Sequence, residues 1–351
     1  MSYVNMLIMS NSLRLQFFLA NGHIGLTWPV KSSGEANSSE MPVVPNVGIV
    51  MPSYKNGRFI RRAVASLFSQ EWSNWQAVLI DDGSPEPLKE EIPDLLDTPR
   101  LRYFWKPNGG VASARNYGWQ QLPHDVNYLM FLDGDDALIP SALRRMVEEL
   151  ENNPRAGMVH CDPLFVDDED NIIPNYDWPP RWTWGPHTLQ PSDRRTPFES
   201  IYTMAGVIPS LVMIRRQIYE QTPGWDESFG QHCEDTDLFL HIALRSDVLY
   251  IPEKLVCYRR HSRQSTTKSE HFGHQEEKLY AKWRNLEEAT PQQRRTIARA
   301  EWFRTGPLAA RLGFQQARRY LIDGEVLKAL RFLIGSVRRK LRSIILRPQA
   351  S

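Results

Sequence analysis

Three carboxylates lie within four residues of one another, directly after an apolar run. Residues 128–132 are Tyr-Leu-Met-Phe-Leu, and Asp-Gly-Asp-Asp follows at 133–136. Acids at this spacing repel one another unless a cation lies among them, and magnesium and manganese prefer carboxylate and phosphate oxygens as ligands. Gly134 is predicted to let the backbone turn sharply, so that Asp133 and Asp135 face one point. The motif predicts a divalent metal site at Asp133 and Asp135, and the alternative is a solvated acidic turn.

A second acidic group lies far along the chain. Glu-Asp-Thr-Asp at 234–237 precedes apolar residues at helical spacing, which predicts that these acids open a helix. The helix dipole alone favours acids in a first turn, and this interpretation fits Asp237 best. The chain therefore carries two separate acidic groups, one after a strand and one at a helix start.

Alternating strands and helices are predicted to position these groups. Apolar residues at helical spacing follow the first apolar run, 47–51, and the fourth, 128–132. A predicted helix of small residues precedes the fourth run. This alternation is typical of α/β proteins with a parallel, doubly wound sheet, whose ligands bind beyond the carboxyl ends of the strands. Polar motifs end three successive strands and should meet at that edge. The apolar runs that predict buried strands are 47–51, 76–80, 101–105 and 128–132. A further short strand is predicted to close at Tyr-Arg-Arg-His, 258–261.

Composition excludes several classes of protein. The net charge of +1 over 351 residues argues against a nucleic-acid binder, which is usually strongly basic. Cys161, Cys233 and Cys257 form neither a CxxC pair nor an even set, which argues against a disulfide framework or a zinc site. No apolar run approaches the roughly 18 residues that span a membrane. A cytoplasmic protein is predicted.

The two ends of the chain differ from its middle. Residues 1–42 show weak patterning and end in a Ser-, Gly- and Asn-rich stretch, which predicts a flexible N-terminal extension. Residues 43–265 hold the strand and helix alternation and predict one α/β domain. Residues 266–351 are predicted to be helical and increasingly basic.

The last part of this helical region is amphipathic. Within 324–347 apolar residues recur at spacings of three and four among Lys and Arg residues. The pattern predicts a basic helix at a membrane surface, peripheral at the inner face of the cell membrane. The alternative is a helix packed on the α/β domain with a solvated basic face.

Six motifs follow one another along the chain. They are Val-Gly-Ile-Val-Met-Pro-Ser-Tyr at 47–54, Asp-Asp-Gly-Ser at 81–84, Asn-Gly-Gly-Val-Ala-Ser-Ala-Arg-Asn at 108–116, Asp-Gly-Asp-Asp at 133–136, Gly-Trp-Asp-Glu at 224–227 and Glu-Asp at 234–235. Together, and in this order, they resemble the family 2 inverting glycosyltransferases with the GT-A fold. The resemblance spans roughly Pro45 to Ser265 and implies a single mostly parallel, Rossmann-like sheet flanked by helices, here with a C-terminal helical extension.

The resemblance also implies roles for single residues. Pro52, Ser53 and Tyr54 would line the nucleotide pocket. Asp82 would accept a hydrogen bond from the base, and Arg115 would lie near the nucleotide or its phosphates. Asp133 and Asp135 would hold a divalent metal, Mn²⁺ or Mg²⁺, on the diphosphate, and His261 would complete the metal shell. Asp235 would be the general base, with Glu234 orienting the acceptor or sharing its hydroxyl.

The expected activity is metal-assisted, hexosyltransferase-type transfer from a nucleotide-diphosphate sugar to a glycan or lipid-linked acceptor, in cell-envelope or exopolysaccharide biosynthesis. A metal can neutralise the leaving diphosphate, and a carboxylate base can activate the acceptor hydroxyl. The Trp-rich stretch within 174–198 would form either an acceptor wall or a cover for the sheet edge.

The alternative is a catalytically weak carbohydrate- or nucleotide-binding protein of the same fold. A nucleotidyltransferase would need a Gly-rich, basic phosphate loop after the first strand, and Pro52 to Gly57 is not one. An aspartyl-phosphate phosphatase would have its nucleophile after the first strand, where this chain has Pro52.

Overall fold

The computed structural model describes residues 17–20, 23–26, 47–96, 98–174, 195–203, 207–230, 232–262, 264 and 272–345. The strands are β1 Phe17–Ala20, β2 His23–Leu26, β3 Val47–Ser53, β4 Trp75–Asp81, β5 Leu101–Trp105, β6 Tyr128–Phe131, β7 Ala137–Leu138, β8 Ala156–Val166, β9 Val212–Arg215 and β10 Asp247–Arg259. The helices are α1 Gly57–Phe68, α2 Val111–Gln121, α3 Ala142–Glu151, α4 Phe198–Tyr202, α5 Arg216–Tyr219, α6 Glu234–Ala243, α7 Phe272–Arg284, α8 Pro291–Phe303, α9 Ala309–Ile322 and α10 Val326–Ile345.

In the described part of the chain, eight strands form one sheet in the order β5-β4-β3-β6-β9-β8-β10-β7. β3 pairs in parallel with β4 on one side and with β6 on the other, so that Ile49 lies opposite both Ala77 and Met130. β8 and β10 are parallel to each other, whereas β9 and β7 run antiparallel to their neighbours. The sheet is therefore mostly parallel, and the predicted α/β class is confirmed.

Both faces of this sheet are covered by helices. Val47, Ile49 and Met51 of β3 belong to one core, which includes apolar residues of α1 and α3. Val50, between them, belongs to a second core on the opposite face, which includes residues of α2 and α6. Successive side chains of a strand point to opposite faces, so an unbroken apolar run is what a doubly covered strand requires.

Helix α2 lies close against the sheet because its inner face is built from small residues. A Cβ atom added to Gly118 would lie 2.4 Å from Val50 Cγ1. Ala112 and Ala114, nearer the start of the helix, are also buried. The close approach brings Arg115 of α2 to the edge where β3, β4 and β6 end.

The helices that follow the sheet share its second core. Leu279 and Trp283 of α7 and Ile297 and Ala300 of α8 are buried in the same cluster as the apolar face of α6. α9 and α10 come next and pack against each other. None of the helices within the described ranges is both long and apolar enough to cross a bilayer.

Most predicted elements lie where the sequence indicated, with two differences. The strand predicted to end near His261 is a 13-residue strand, β10, that begins at Asp247. β1 and β2 form an antiparallel pair, Phe17 opposite Leu26, inside the region predicted as a flexible extension, and sequence patterning gave no indication of them. The remaining residues of 1–46 and most of the Trp-rich stretch, 175–194, lie outside the described residues.

Candidate active site

A cavity of about 510 Å³ opens where β3, β4 and β6 end. Every site residue predicted from the sequence lines it, although these residues come from widely separated parts of the chain. The predicted residues that line the cavity are Pro52, Ser53, Tyr54, Asp82, Arg115, Asp133, Asp135, Glu234, Asp235 and His261.

The acidic turn after β6 meets the end of β10 in this cavity. His261 Nε2 lies 3.0 Å from Asp135 Oδ2. The neighbouring Asp136 is buried and accepts a hydrogen bond from the Arg259 backbone N–H at 3.0 Å. Burial, and then the charges of Asp135 and Asp133, hold the pKa of Asp136 well above its usual range. The turn therefore favours the protonated form of Asp136, while Asp133 and Asp135 face the cavity.

Gly134 serves a different purpose from the one predicted. The turn is present, since the Asp136 N–H donates to the Asp133 carbonyl at 3.1 Å, but Gly134 does not have the positive φ that favours glycine. A Cβ atom at this position would lie 2.4 Å from Ser53 Oγ. Glycine is required here because the acidic turn lies directly against the end of β3, where a larger residue would clash with Ser53.

Asp81 and Asp82 are adjacent, yet only Asp82 lines the cavity. Asp81 is fully buried and accepts hydrogen bonds from the Ser84 and Leu88 N–H groups and from the Tyr103 hydroxyl. The Asp82 carboxylate accepts hydrogen bonds from Lys106 Nζ at 2.6 Å and from the N–H groups of Gly109 and Gly110 at 3.0 and 2.8 Å. Asp81 therefore stabilises the loop, and Asp82 is presented to the cavity in a fixed orientation.

Arg115 joins the two acidic groups. Its side chain is almost fully buried, and its guanidinium donates to Asp133 Oδ1 at 2.8 Å and to Glu234 Oε1 at 3.1 Å. The guanidinium also lies over the Trp225 ring, 4.3 Å from its centroid. Trp225 belongs to the Gly-Trp-Asp-Glu motif, so this one cation links three of the motifs found in the sequence.

Glu234 and Asp235 point in different directions at the start of α6. Glu234 is 5% exposed and pairs with Arg115. Asp235 is partly exposed, and its Oδ1 accepts the Thr236 N–H at 2.6 Å. Burial, and then the charge on Asp235, raise the pKa of Glu234 to about 7, and burial raises the pKa of Asp235 as well. Cys233, just before them, has a φ of 72°, a strained conformation for a residue other than glycine.

The cavity also contains residues that sequence reasoning did not select. Lys55, Tyr258 and Gln264 line it, beside predicted residues of the same loops. Lys55 has a φ of 58°, and its N–H donates to Ser84 Oγ at 3.0 Å, which ties the loop after β3 to the loop after β4. A basic residue directly after the Pro-Ser-Tyr motif was the available signal. Nothing in the sequence pattern marked Gln264.

The residues at the acidic turn fit a divalent cation that takes some of its ligands from the protein and the rest from a substrate. Asp133, Asp135 and His261 all line the cavity, and Asp135 and His261 are within hydrogen-bond distance of each other. No group of three His, Cys, Asp or Glu side chains in the described ranges is already arranged as a complete cation site. Magnesium in particular is usually held by one or two carboxylates and completed by substrate phosphates and waters.

Comparison with known proteins gives a consistent result. Residues 48–222 match the family model described as glycosyl transferase family 2. An uncharacterized glycosyltransferase of Rickettsia typhi is 26% identical over 228 residues, which are 63% of this chain and 66% of that protein. The succinoglycan biosynthesis protein ExoW of Rhizobium meliloti is 38% identical over 98 residues, 27% of this chain and 31% of that protein. Hyaluronan synthase of Pasteurella multocida is 33% identical over 138 residues, 39% of this chain and 14% of that protein. The chain spans less than two thirds of the length of each of these relatives.

Solved structures share the architecture at low sequence identity. The crystal structure of residues 1–349 of S. aureus TarS gives a TM-score of 0.57 at 15% identity, covering 85% of this chain and 88% of that chain. The same protein in complex with UDP-GlcNAc gives a TM-score of 0.56 at 11% identity, covering 84% of this chain and 92% of that chain. At these identities the likeness concerns the fold alone.

Proposed function

The chain belongs to the family 2 glycosyltransferases and has their GT-A fold, and from that premise we propose that it is an inverting, metal-assisted enzyme. It transfers a sugar from a nucleotide-diphosphate sugar to a hydroxyl of a glycan or lipid-linked acceptor. The observation that carries the proposal is the convergence of both acidic groups and the nucleotide-side motifs on one cavity, joined through Arg115.

The nucleotide is assigned to the end of the cavity formed by the loops after β3 and β4. Ser53 Oγ is buried and has no hydrogen-bond partner among the described residues, so a ligand hydroxyl or N–H group can supply one. Asp82 is held rigidly and can accept a hydrogen bond from a base N–H. TarS binds UDP-GlcNAc in a solved complex, which supports a nucleotide sugar as donor.

A divalent cation would be held by Asp133, Asp135 and His261, and when bound it would neutralise charge that develops on the leaving diphosphate. Asp133 and Asp135 orient their carboxylates toward the same cavity through the tight turn at Gly134. Arg115 offers a second positive charge at the same place, because its guanidinium already contacts Asp133.

Asp235 is assigned as the base. Its carboxylate removes the proton from the acceptor hydroxyl as that oxygen forms a bond to the anomeric carbon. The bond from this carbon to the diphosphate oxygen breaks with its electron pair leaving on the diphosphate, and attack from the opposite face inverts the anomeric centre. A raised pKa strengthens Asp235 as a base, provided that the solution pH stays above it.

The acceptor is assigned as an intermediate in the biosynthesis of a cell-envelope polysaccharide or an exopolysaccharide. The named relatives support this assignment, since one is a succinoglycan biosynthesis protein and another a hyaluronan synthase. The rival proposal, a catalytically weak binding protein of the same fold, predicts ligand binding without turnover.

A panel of nucleotide sugars, beginning with UDP-GlcNAc, tests the proposal in two steps. Thermal shift with manganese should identify the donor as the compound that stabilises the protein, and release of its nucleoside diphosphate should then follow. Asp135→Asn should lose most of this release, whereas Asp94→Asn, an exposed acid outside the cavity, should keep it. Full turnover in excess chelator would contradict the metal assignment, and binding without any release would favour the rival.

A further inference from the structure

Helix α10 packs on α9 through small residues. Ala329, Ser336 and Ser343 recur at intervals of seven and are buried. A Cβ atom added to Gly313 of α9 would lie 2.0 Å from Ser336 Oγ, and one added to Gly306, just before α9, would lie 2.4 Å from Ser343 Cβ. At Ser336 and Ser343 the inner face of α10 therefore leaves no room for larger side chains.

Phe332 packs against Tyr320 of α9, with ring centroids 5.4 Å apart, but most large apolar side chains of α10 point away from this contact. Leu327 is 85% exposed, Ile334 53%, Leu341 56% and Ile344 65%. With 3.6 residues per turn, these residues together with Leu330 and Val337 fall within an arc of about 100°. The arc is centred roughly 130° from that of the buried small residues, by the same helical geometry. An amphipathic helix normally buries its apolar stripe, and α10 does the reverse.

Basic side chains border the exposed apolar stripe. Arg331, Arg338 and Arg342 are exposed and occupy the next roughly 60° of the helix. From Ala309 to Ile345 the chain carries nine Lys and Arg residues against two acids, Asp323 and Glu325. Net positive charge is therefore concentrated beside the apolar surface.

The charge distinguishes between the occupants that could cover the stripe. A second copy of the chain would bring a second set of arginines against the first, which opposes association. Anionic phospholipids present the opposite charge beside an apolar interior, and long Arg and Lys side chains can extend to the headgroups while leucine and isoleucine enter the acyl region.

We propose that the exposed face of α10 is a docking surface for an anionic membrane, on which the helix lies parallel to the bilayer plane. The close α9–α10 contact through small residues holds the apolar stripe outward and keeps it available to lipid. The inference is independent of the assignments made in the cavity, because none of its residues lines that cavity.

The test is flotation of the full-length protein with vesicles of phosphatidylcholine mixed with phosphatidylglycerol, against phosphatidylcholine alone. The wild type should float with the anionic vesicles and release as salt rises, since surface charge is screened. The triple variant Arg331→Gln, Arg338→Gln, Arg342→Gln should partition roughly 100-fold more weakly, at about fivefold per basic residue. The triple variant Leu330→Gln, Ile334→Gln, Leu341→Gln should partition at least roughly tenfold more weakly.

A matched control removes three exposed positive charges elsewhere. Lys89→Gln, Arg155→Gln and Lys254→Gln lie outside α9 and α10 and should leave vesicle binding within about twofold of the wild type if the helix is the docking surface. Circular dichroism and the melting temperature should be unchanged in all three triple variants, because the altered side chains are exposed.

Two outcomes would overturn the proposal. One is vesicle binding that all three triple variants retain equally, which would assign lipid contact to a surface other than α10. The other is a wild-type protein that does not bind anionic vesicles but sediments as an oligomer, while the Leu330→Gln, Ile334→Gln, Leu341→Gln variant sediments as a monomer. That result would make the stripe an interface between copies of the chain.

Discussion

Glu234 and Asp235 are adjacent and both carry a carboxyl group, but their side chains lie in different environments. Glu234 is almost fully buried, and Arg115 occupies its carboxylate. Asp235 is the more exposed of the two and is oriented by the Thr236 N–H. An acceptor that enters the cavity can reach the partly exposed acid, while the paired acid is committed to the arginine. This difference in exposure and pairing supports Asp235 as the base. The amino-acid sequence alone does not reveal such a difference between two neighbouring acids.

Replacement of each acid by its amide tests that assignment. Asp235→Asn keeps the size of the side chain and removes its basicity, so the transfer rate should fall by roughly 100- to 10,000-fold. Donor affinity, followed by titration with the nucleoside diphosphate and manganese, should stay nearly unchanged. A dead Glu234→Gln beside a fully active Asp235→Asn would reverse the two roles, and two active variants would remove the proposed mechanism.

The pH dependence of stability provides a second test at the same residue. The pKa of Glu234 is raised from its usual 4.5 to about 7, so the folded protein keeps a proton that the unfolded chain releases. The stability that this proton provides is present at acidic pH and is lost as the pH rises through 7. Glutamine does not titrate. The free energy of unfolding of Glu234→Gln, relative to that of the wild type, should therefore rise by up to about 3 kcal/mol from pH 5 to pH 8.

Urea unfolding at both pH values measures that difference. Asp94→Asn is a suitable control, because Asp94 is exposed and pairs with Arg61 at the surface. A difference between Glu234→Gln and the wild type that is the same at pH 5 and pH 8 would mean that Glu234 does not titrate in this range.

At the scale of elements, the sequence identified buried strands better than their lengths. β3, β4, β5 and β6 lie within two residues of their predicted bounds, because each is an apolar run that ends in a polar motif. β10 is longer than predicted, since Glu253 and Lys254 interrupt its pattern and are exposed in the middle of the strand. Periodicity fails where a strand passes from a covered part of the sheet to an exposed one.

Two glycines of the last helices should respond in opposite ways to alanine. Gly313→Ala would force a Cβ atom to 2.0 Å from Ser336 Oγ, so we expect a loss of roughly 1–3 kcal/mol as α9 and α10 separate. Gly335→Ala meets only the Arg339 side chain, at 3.5 Å, and should gain roughly 0.5–1 kcal/mol from improved helix propensity. Melting temperatures of the two variants measure both changes, and a neutral Gly313→Ala would contradict the close contact described for this pair of helices.

At the scale of the whole molecule, the C-terminal helices support the helix that carries the proposed base. Asp237 of α6 is fully buried and accepts hydrogen bonds from Lys282 Nζ at 2.7 Å and Trp283 Nε1 at 2.9 Å. Lys282 also donates to Asp226 at 2.8 Å. Burial would raise the pKa of Asp226, but hydrogen bonds from Lys282 and Ser228 lower it to about 2. Asp237 was interpreted from the sequence as a dipole-favoured acid, and the structure adds a connection between α6 and α7.

Loss of this connection should weaken the fold and the site together. Lys282→Met removes one donor from a buried carboxylate, and we expect the free energy of unfolding to fall by roughly 2–4 kcal/mol. Lys278→Met, one turn earlier on α7, removes an exposed donor to the Ser228 carbonyl and a cation over the Phe229 ring, and should cost about 1 kcal/mol or less. Chemical unfolding of both variants gives the comparison, and equal losses would show that the ion pair contributes nothing specific.

The sequence predicted which residues would meet in the cavity but not how they would be connected. Ordered motifs after parallel strands must converge on one edge, which is why every predicted site residue lines one cavity. The link from Arg115 to both Asp133 and Glu234 depends on how closely α2 approaches the sheet, and Gly118 sets that distance. Three-dimensional packing of this kind leaves no periodic trace in a single sequence.

Arg115 also makes donor binding an exchange of ions. Its guanidinium is shared between Asp133 and Glu234 in the structure, so the acids already have a cation before any ligand arrives. On the proposed function, Asp133 would be one ligand of a bound metal, and Arg115 would then be free to donate its Asp133-facing N–H to the diphosphate. Arg115 would return to Asp133 once the nucleoside diphosphate had left. The resting ion pair would therefore oppose donor binding and assist product release by the same free energy.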